Sequence, residues 1–162
     1  MSYQLHVSDL GKETLTNMAN QGFEIPLSTD VPMPILPSDI TAVDNEELME
    51  LFTVFTAFLD FISYQVALAE IDERALERKL DAAVAVATAN QPKGLAAVIK
   101  AAALADPKVV KISEEHEVAY NYRKLIHVMS DNLNRGLTLI SRELTRRTAD
   151  GHVMKRARKF TT

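Results

Sequence analysis

The chain has 162 residues, no cysteine and a formal net charge of −4, enough length for one domain, or one domain with an arm, and no means of making a disulfide framework or a thiolate metal site. Lack of cysteine suits an intracellular protein, no basic and then apolar leader opens the sequence, and no apolar run approaches the roughly 20 residues that span a bilayer. The net charge hides a segregation: residues 1–121 carry 8 Lys+Arg against 19 Asp+Glu, and residues 122–162 carry 10 against 3. An acidic body with a basic end fits a polyanion or an acidic partner. It fits equally a basic helix that complements its own dipole and an acidic neighbour.

Residues 1–43 read as a proline-containing N-terminal arm. Pro26, Pro32, Pro34 and Pro37 exclude a continuous helix. Leu10–Asn20 predicts a short helix stopped before Gly22, and the piece from Glu24 to Pro37 is expected to be extended. Val31, Met33, Ile35 and Leu36 give the arm something to bury, on its own chain or on another subunit. A flexible leader is the other reading.

Residues 44–147 read as a helical hairpin. Asp44-x-x-Glu47 is an N-cap with a capping-box partner. No Gly or Pro follows until Asn90 and Pro92 supply the stop. Leu51, Phe55, Phe58, Ile62, Val66, Ala69, Leu76, Leu80 and Val84 form its main stripe. Between Leu48 and Leu68, an apolar stretch interrupted by Glu50 and Asp60, further apolar residues lie on other faces. One partner helix cannot cover more than one side, so this segment is either deeply buried or an oligomer interface. The interface, formed by Phe52, Val54, Phe55, Phe58, Phe61 and Leu68, is the expectation, since so few helices cannot enclose the segment within one chain. The segment Glu70–Asp81 is a dense mix of charge. Its i,i+4 pairs suit a solvated face, and Arg74, Arg78 and Lys79 are candidates for a basic groove.

Pro92-Lys93-Gly94 is a break. A short alanine-rich helix is expected over Leu95–Leu104, ended by Asp106-Pro107, with Pro107 able to start a following turn. Ser113 then caps a second long helix running to Arg147, with Glu114, Glu115 and Glu117 in its first turn and Arg142, Arg146 and Arg147 in its last. Val118, Tyr122, Leu125, Met129, Leu133, Leu137, Ile140 and Leu144 make its apolar stripe. Nearly opposite, Lys124, Arg135, Arg142 and Arg146 fall within roughly 40° of one another at about 100° per residue. Residues 148–162 form a basic tail with Lys155, Arg156, Arg158, Lys159 and Phe160. The fold class is therefore all-α: a long antiparallel helical hairpin with a short connecting helix, an extended arm and a basic tail.

Little in the sequence points to catalysis, a cofactor or a metal. No phosphate-cradling glycine loop, nucleophile elbow or HExxH occurs. His116 and His127 share a helix face but stand about 16 Å apart along it, too far for one ion. The cations support a different activity. Lys124, Arg135, Arg142, Arg146, Arg147, Lys155, Arg156, Arg158 and Lys159 would neutralise phosphates without reading bases, and Tyr120, Tyr122 and Phe160 are candidates to stack on them. No recognition-module signature is present, so sequence-tolerant binding of single-stranded nucleic acid is the expected form.

In order and character, residues 38–147 resemble the UvsY-type recombination mediator family of tailed bacteriophages. The resemblance rests on Ser38-Asp39-Ile40 with an acidic lead into Leu48–Ile62, the charged Glu70–Asp81 and the run Ala105-Asp106-Pro107-Lys108-Val109-Val110-Lys111. It continues with a helix holding Tyr122, and with Leu133-Asn134-Arg135 leading into Ser141-Arg142. It implies a small non-enzymatic all-α protein that forms homo-oligomers such as rings, binds single-stranded DNA and helps load a recombinase onto DNA coated by single-strand binding protein. It also implies DNA contact by basic residues of the hairpin, here Arg74, Arg78 and Lys79, which are fewer than the lysine-rich run usual in that family. A second function class also fits: a self-assembling virion or assembly protein indifferent to DNA.

Overall fold

In the computed structural model the described residues are 2–159, and the described side chains end at Ala149. The chain is all-α. Its elements are β1 (Tyr3–Gln4), α1 (Asp9–Asn20), β2 (Ser28–Thr29), α2 (Asn45–Ala89), α3 (Ala96–Leu104) and α4 (Pro107–Lys159). By contact it divides into two units: one of Met1–Leu5, Pro26–Ser63 and Val128–Thr162, the other of His6–Ile25 and Tyr64–His127.

Local chemistry explains most element boundaries. The Asp44 carboxylate accepts from the Glu47 amide at 2.9 Å, capping α2 where the sequence puts the start. Ser8 caps α1, its hydroxyl accepting from the Gly11 amide at 3.0 Å. That helix closes with Gly22 at φ 88° and with the Phe23 amide donating to the Met18 carbonyl. A left-handed glycine just past a helix end is the usual way to satisfy its last carbonyls. α4 begins seven residues earlier than expected. Asp106 accepts from the Lys108 amide at 2.8 Å and Pro107 takes the first helical position, so Ser113 lies inside the helix and caps nothing. At its far end α4 continues beyond Arg147 to Lys159, so most of the expected tail is helical.

In the first unit the beginning of α2 packs antiparallel to the later part of α4. Phe55 lies against Gly136, and Asn45 meets Arg147. Leu48, Phe55, Phe58, Phe61 and Ile62 of α2 are buried with Leu133 and Ile140 of α4. β1 pairs antiparallel with β2, Tyr3 opposite Thr29, and the Tyr3 ring stands edge-on to Phe58 at 5.3 Å. In the second unit α2 also runs antiparallel to α4, with Glu73 beside Arg123 and Glu70 beside His127. Here α1 covers α2. Gly11 is buried so close to Leu68 that a Cβ would come within 3.2 Å of its methyl, and the buried Gln65 amide bonds the His6 amide and carbonyl at 2.6 and 3.2 Å. A smaller core of Ala87, Ala103 and Val109, with Leu80 and Val84 against it, seats α3.

The open readings of the arm are narrowed and other expectations change. The arm packs on its own α2 through Tyr3, His6, Ser8 and Gly11. Phe55, Phe58, Phe61 and Leu68 are buried within the chain and so are core where an interface was expected, while Phe52 and Val54 are half-buried. Residues Val118 and Leu125 are 70% and 71% exposed, because the part of α2 available to the start of α4 is polar. Ala119, Arg123 and Ile126 turn inward instead. Finally, α2 does hold an 18-residue window of mean hydropathy 1.6, long and apolar enough by composition to cross a membrane, a third of it buried. Its Phe58 face is covered by protein.

Candidate nucleic-acid interface

The expected cations separate into those that hold the fold and those that face solvent. Arg147 belongs to the first group. Its side chain is largely enclosed, bonding Glu143 at 2.7 Å, Asn45 Oδ1 at 2.8 Å and the carbonyls of Ile40 and Thr41 at 3.3 and 3.2 Å. It ties α4 to the chain entering α2, and its donors are spent there. Arg146 reaches the same Glu143 through two bonds, at 2.8 and 2.7 Å. Donation from Arg146 first and Arg147 second holds the Glu143 carboxyl down at about 2, because hydrogen bonds to the ionised form favour it. Arg123, not singled out from the sequence, pairs with Glu73, and its guanidinium lies 5.5 Å from the Tyr120 ring centre. Tyr120 is thereby committed to a packed cation.

In the first unit Arg135 and Arg142 remain. Both are exposed, and neither has an ion-pair partner among the described residues. They stand seven residues apart on one face of α4, about 10 Å along the axis, and with Asn134, Thr138, Leu139 and Asp131 they line an open groove of about 650 Å³. A guanidinium offers five donors that never lose their charge, and the Asn134 amide beside them adds a neutral donor, while the Thr138 hydroxyl is spent on the Asn134 carbonyl at 2.8 Å. Such a surface takes phosphate oxygens in many registers, with Leu139, 46% exposed, as an apolar contact for a base or sugar.

In the second unit Lys124 on α4 and Arg74, Arg78 and Lys79 on α2 are exposed. Lys79 lines a cavity of about 560 Å³ with Asp9, Asp72 and Glu115 on its walls, so its field is countered by carboxylates. Tyr122 is half-enclosed on that cavity beside the His6 ring at 5.9 Å. Burial, with the Asp72 charge second, raises its hydroxyl pKa. Ser8 also borders the cavity, but its hydroxyl donates to Asp72 while capping α1. No cluster of three or more His, Asp or Glu able to hold a metal occurs among the described residues. The side chains of Lys155, Arg156, Arg158 and Lys159, and Phe160 altogether, lie outside the described residues. No family model, curated protein or solved structure matches the chain.

Proposed function

We propose that this protein binds single-stranded DNA without sequence preference through the outer face of α4, and acts as a mediator that helps a recombinase displace single-strand binding protein. The supporting observation is the pair Arg135 and Arg142, exposed and without a carboxylate partner among the described residues, while Arg123 and Arg147 are consumed by the fold. Cations that serve packing are turned inward, so those left outside at regular helical spacing are available for phosphates. The assignment to recombination comes from the resemblance of residues 38–147 to the UvsY-type mediators; the charge pattern speaks only for polyanion binding.

The test is fluorescence anisotropy with a labelled single-stranded oligonucleotide at two salt concentrations. Binding is expected at low salt and weakens as salt rises. Each phosphate contact removed lowers the slope of log K against log salt by about 0.7, so the double variant Arg135→Ala, Arg142→Ala loses about 1.4. Absence of binding at low salt would refute the DNA reading. Binding without any stimulation of recombinase loading would leave a DNA-binding protein and refute the mediator role. A second reading, a self-assembling structural protein, is favoured by the exposed apolar residues of α3.

A further inference from the structure

Helix α3 has the composition of a buried element and the exposure of a surface one. Lys100 is its only polar residue, yet only Ala103 is buried, and Leu95, Val98 and Leu104 are 77%, 61% and 48% exposed. At 100° per residue the side facing away from Ala103 carries Ala97, Val98 and Ala101, with Leu104 at its edge and Leu95 exposed at the N-cap, and no polar group. A helix apolar on all sides needs cover on a second side, and a contiguous apolar patch on a soluble surface marks an interaction site.

Charge indicates what supplies the cover. Between residues 82 and 112 the chain has four lysines, of which Lys111 pairs with Glu115 at 4.0 Å and Lys93, Lys100 and Lys108 have no ion-pair partner among the described residues, and one acid, Asp106, whose carboxylate is engaged in capping α4. The patch is thus apolar with a cationic rim, and its partner is apolar with an anionic one. The same chain holds such a surface in its other unit. Residues 26–63 contain seven acids and no Lys or Arg; Asp44 is engaged in capping α2, and Asp39, Glu46 and Glu50 are exposed. Within that stretch Met33, Ile35 and Met49 are 48%, 82% and 51% exposed. A bilayer is the poorer fit: α3 has nine residues and no aromatic side chain, whereas helices that lie in a lipid interface present longer apolar faces rich in Trp, Phe and Leu.

We infer that the α3 patch of one molecule docks on the acidic, methionine-bearing surface of residues 26–63 of a second copy. The two surfaces differ, so the contact is head-to-tail, and repetition gives a closed ring or an open filament. This takes up the self-association in the preceding reading and none of its nucleic-acid part, so it is tested without DNA. The full chain is examined by sedimentation velocity over a concentration series. Wild type forms species larger than its 18.0 kDa monomer. Leu95→Asp with Val98→Asp, both at exposed sites, weakens the association about tenfold or more and leaves the far-ultraviolet circular dichroism unchanged. Glu46→Lys with Glu50→Lys does the same from the other side.

Mixing these two variants is the decisive arm. Each keeps one intact surface, so a head-to-tail contact yields a 1:1 complex that grows no further. Wild type that stays monomeric throughout overturns the inference, as does association unaffected by either variant, or the absence of a complex on mixing. So does wild type that stays monomeric but floats with phosphatidylserine vesicles and loses this on Leu95→Asp, which would assign the patch to lipid.

Discussion

Replacing Gly136 by alanine tests the packing on which the α4 face is presented, because propensity and structure predict opposite signs. Gly136 lies inside a long helix, where alanine is favoured by about 1 kcal/mol. The added Cβ would stand 2.5 Å from Phe55 Cε1 and 3.1 and 3.2 Å from Cζ and Cδ1. Ordinary contact requires the ring to retreat by about 1 Å, and a core packed to crystal density has no such space. Phe55 is 3% exposed and does not escape to solvent. Overpacking of this kind costs about 1–3 kcal/mol. With a near-backbone clash against a ring, the upper end applies, and the net loss is about 2 kcal/mol. For a chain of this length that lowers Tm by roughly 4–8 °C. Urea and thermal unfolding measure it, and Phe55→Leu supplies the control, since shortening the ring should make the alanine cheaper by a coupling energy of about 1 kcal/mol or more. Gly136→Ala that stabilises the protein, or that costs the same with either residue at 55, would refute the close approach of α2 and α4 there.

Arg147→Ala should destabilise by about 2 kcal/mol in denaturant titration, since it strips the charged donor from the carbonyls of Ile40 and Thr41. By contrast, Arg142→Ala should stay within about 0.5 kcal/mol of wild type; equal losses would erase the division between structural and solvent-facing arginines. The Glu143 carboxyl, held at about 2 against an ordinary 4.5, contributes stability that is complete above 4.5 and is lost as pH falls toward 2. Unfolding measured down that range should therefore show a steeper decline for wild type than for Glu143→Gln, and parallel curves would refute the linkage. Ser8→Ala removes the α1 cap and the bond to Asp72 together, with an expected loss of about 1–2 kcal/mol by thermal unfolding. A variant as stable as wild type would show that α1 contributes nothing there.

What was legible in the sequence was whatever local chemistry decides. α2 begins and ends where Asp44, Asn90 and Pro92 indicate, and α1 ends before Gly22 as expected and starts at Asp9, one residue ahead of the expected Leu10, because Ser8 caps it. At α4 two start signals compete, Asp106-Pro107 and Ser113 followed by acids. The earlier one wins because nothing from Lys108 to Ile112 interrupts the helix. The rotation of α4 was not legible. Val118 and Leu125 fall on the same apolar period as Leu133 and Ile140, but α2 answers the first pair with Glu70, Asp72 and Glu73, so Arg123 and His127 make the contact. Equally hidden was the cover of Phe58 and Leu68, which comes from residues about 55 positions earlier in the chain. Among the candidate cations, Arg142 and Arg147 look alike in sequence. Only the fold shows that one meets backbone carbonyls and the other meets solvent.

The sequence separation of the arm's contacts sets an order of events during synthesis. Gln65 and Asp72 stand 59 and 64 residues beyond the His6 and Ser8 they bind, whereas Gly136 follows Phe55 by a further 81 positions. At about 5–20 residues per second, the arm waits roughly 3–13 s for α2, and α2 has the arm beside it before its α4 partner has been translated. During that interval Tyr3 and α1 are the available shelter for Phe58 and Leu68. The segment thus has the position of a built-in holdase, shielding a nascent apolar helix while the ribosome completes the other half of the hairpin.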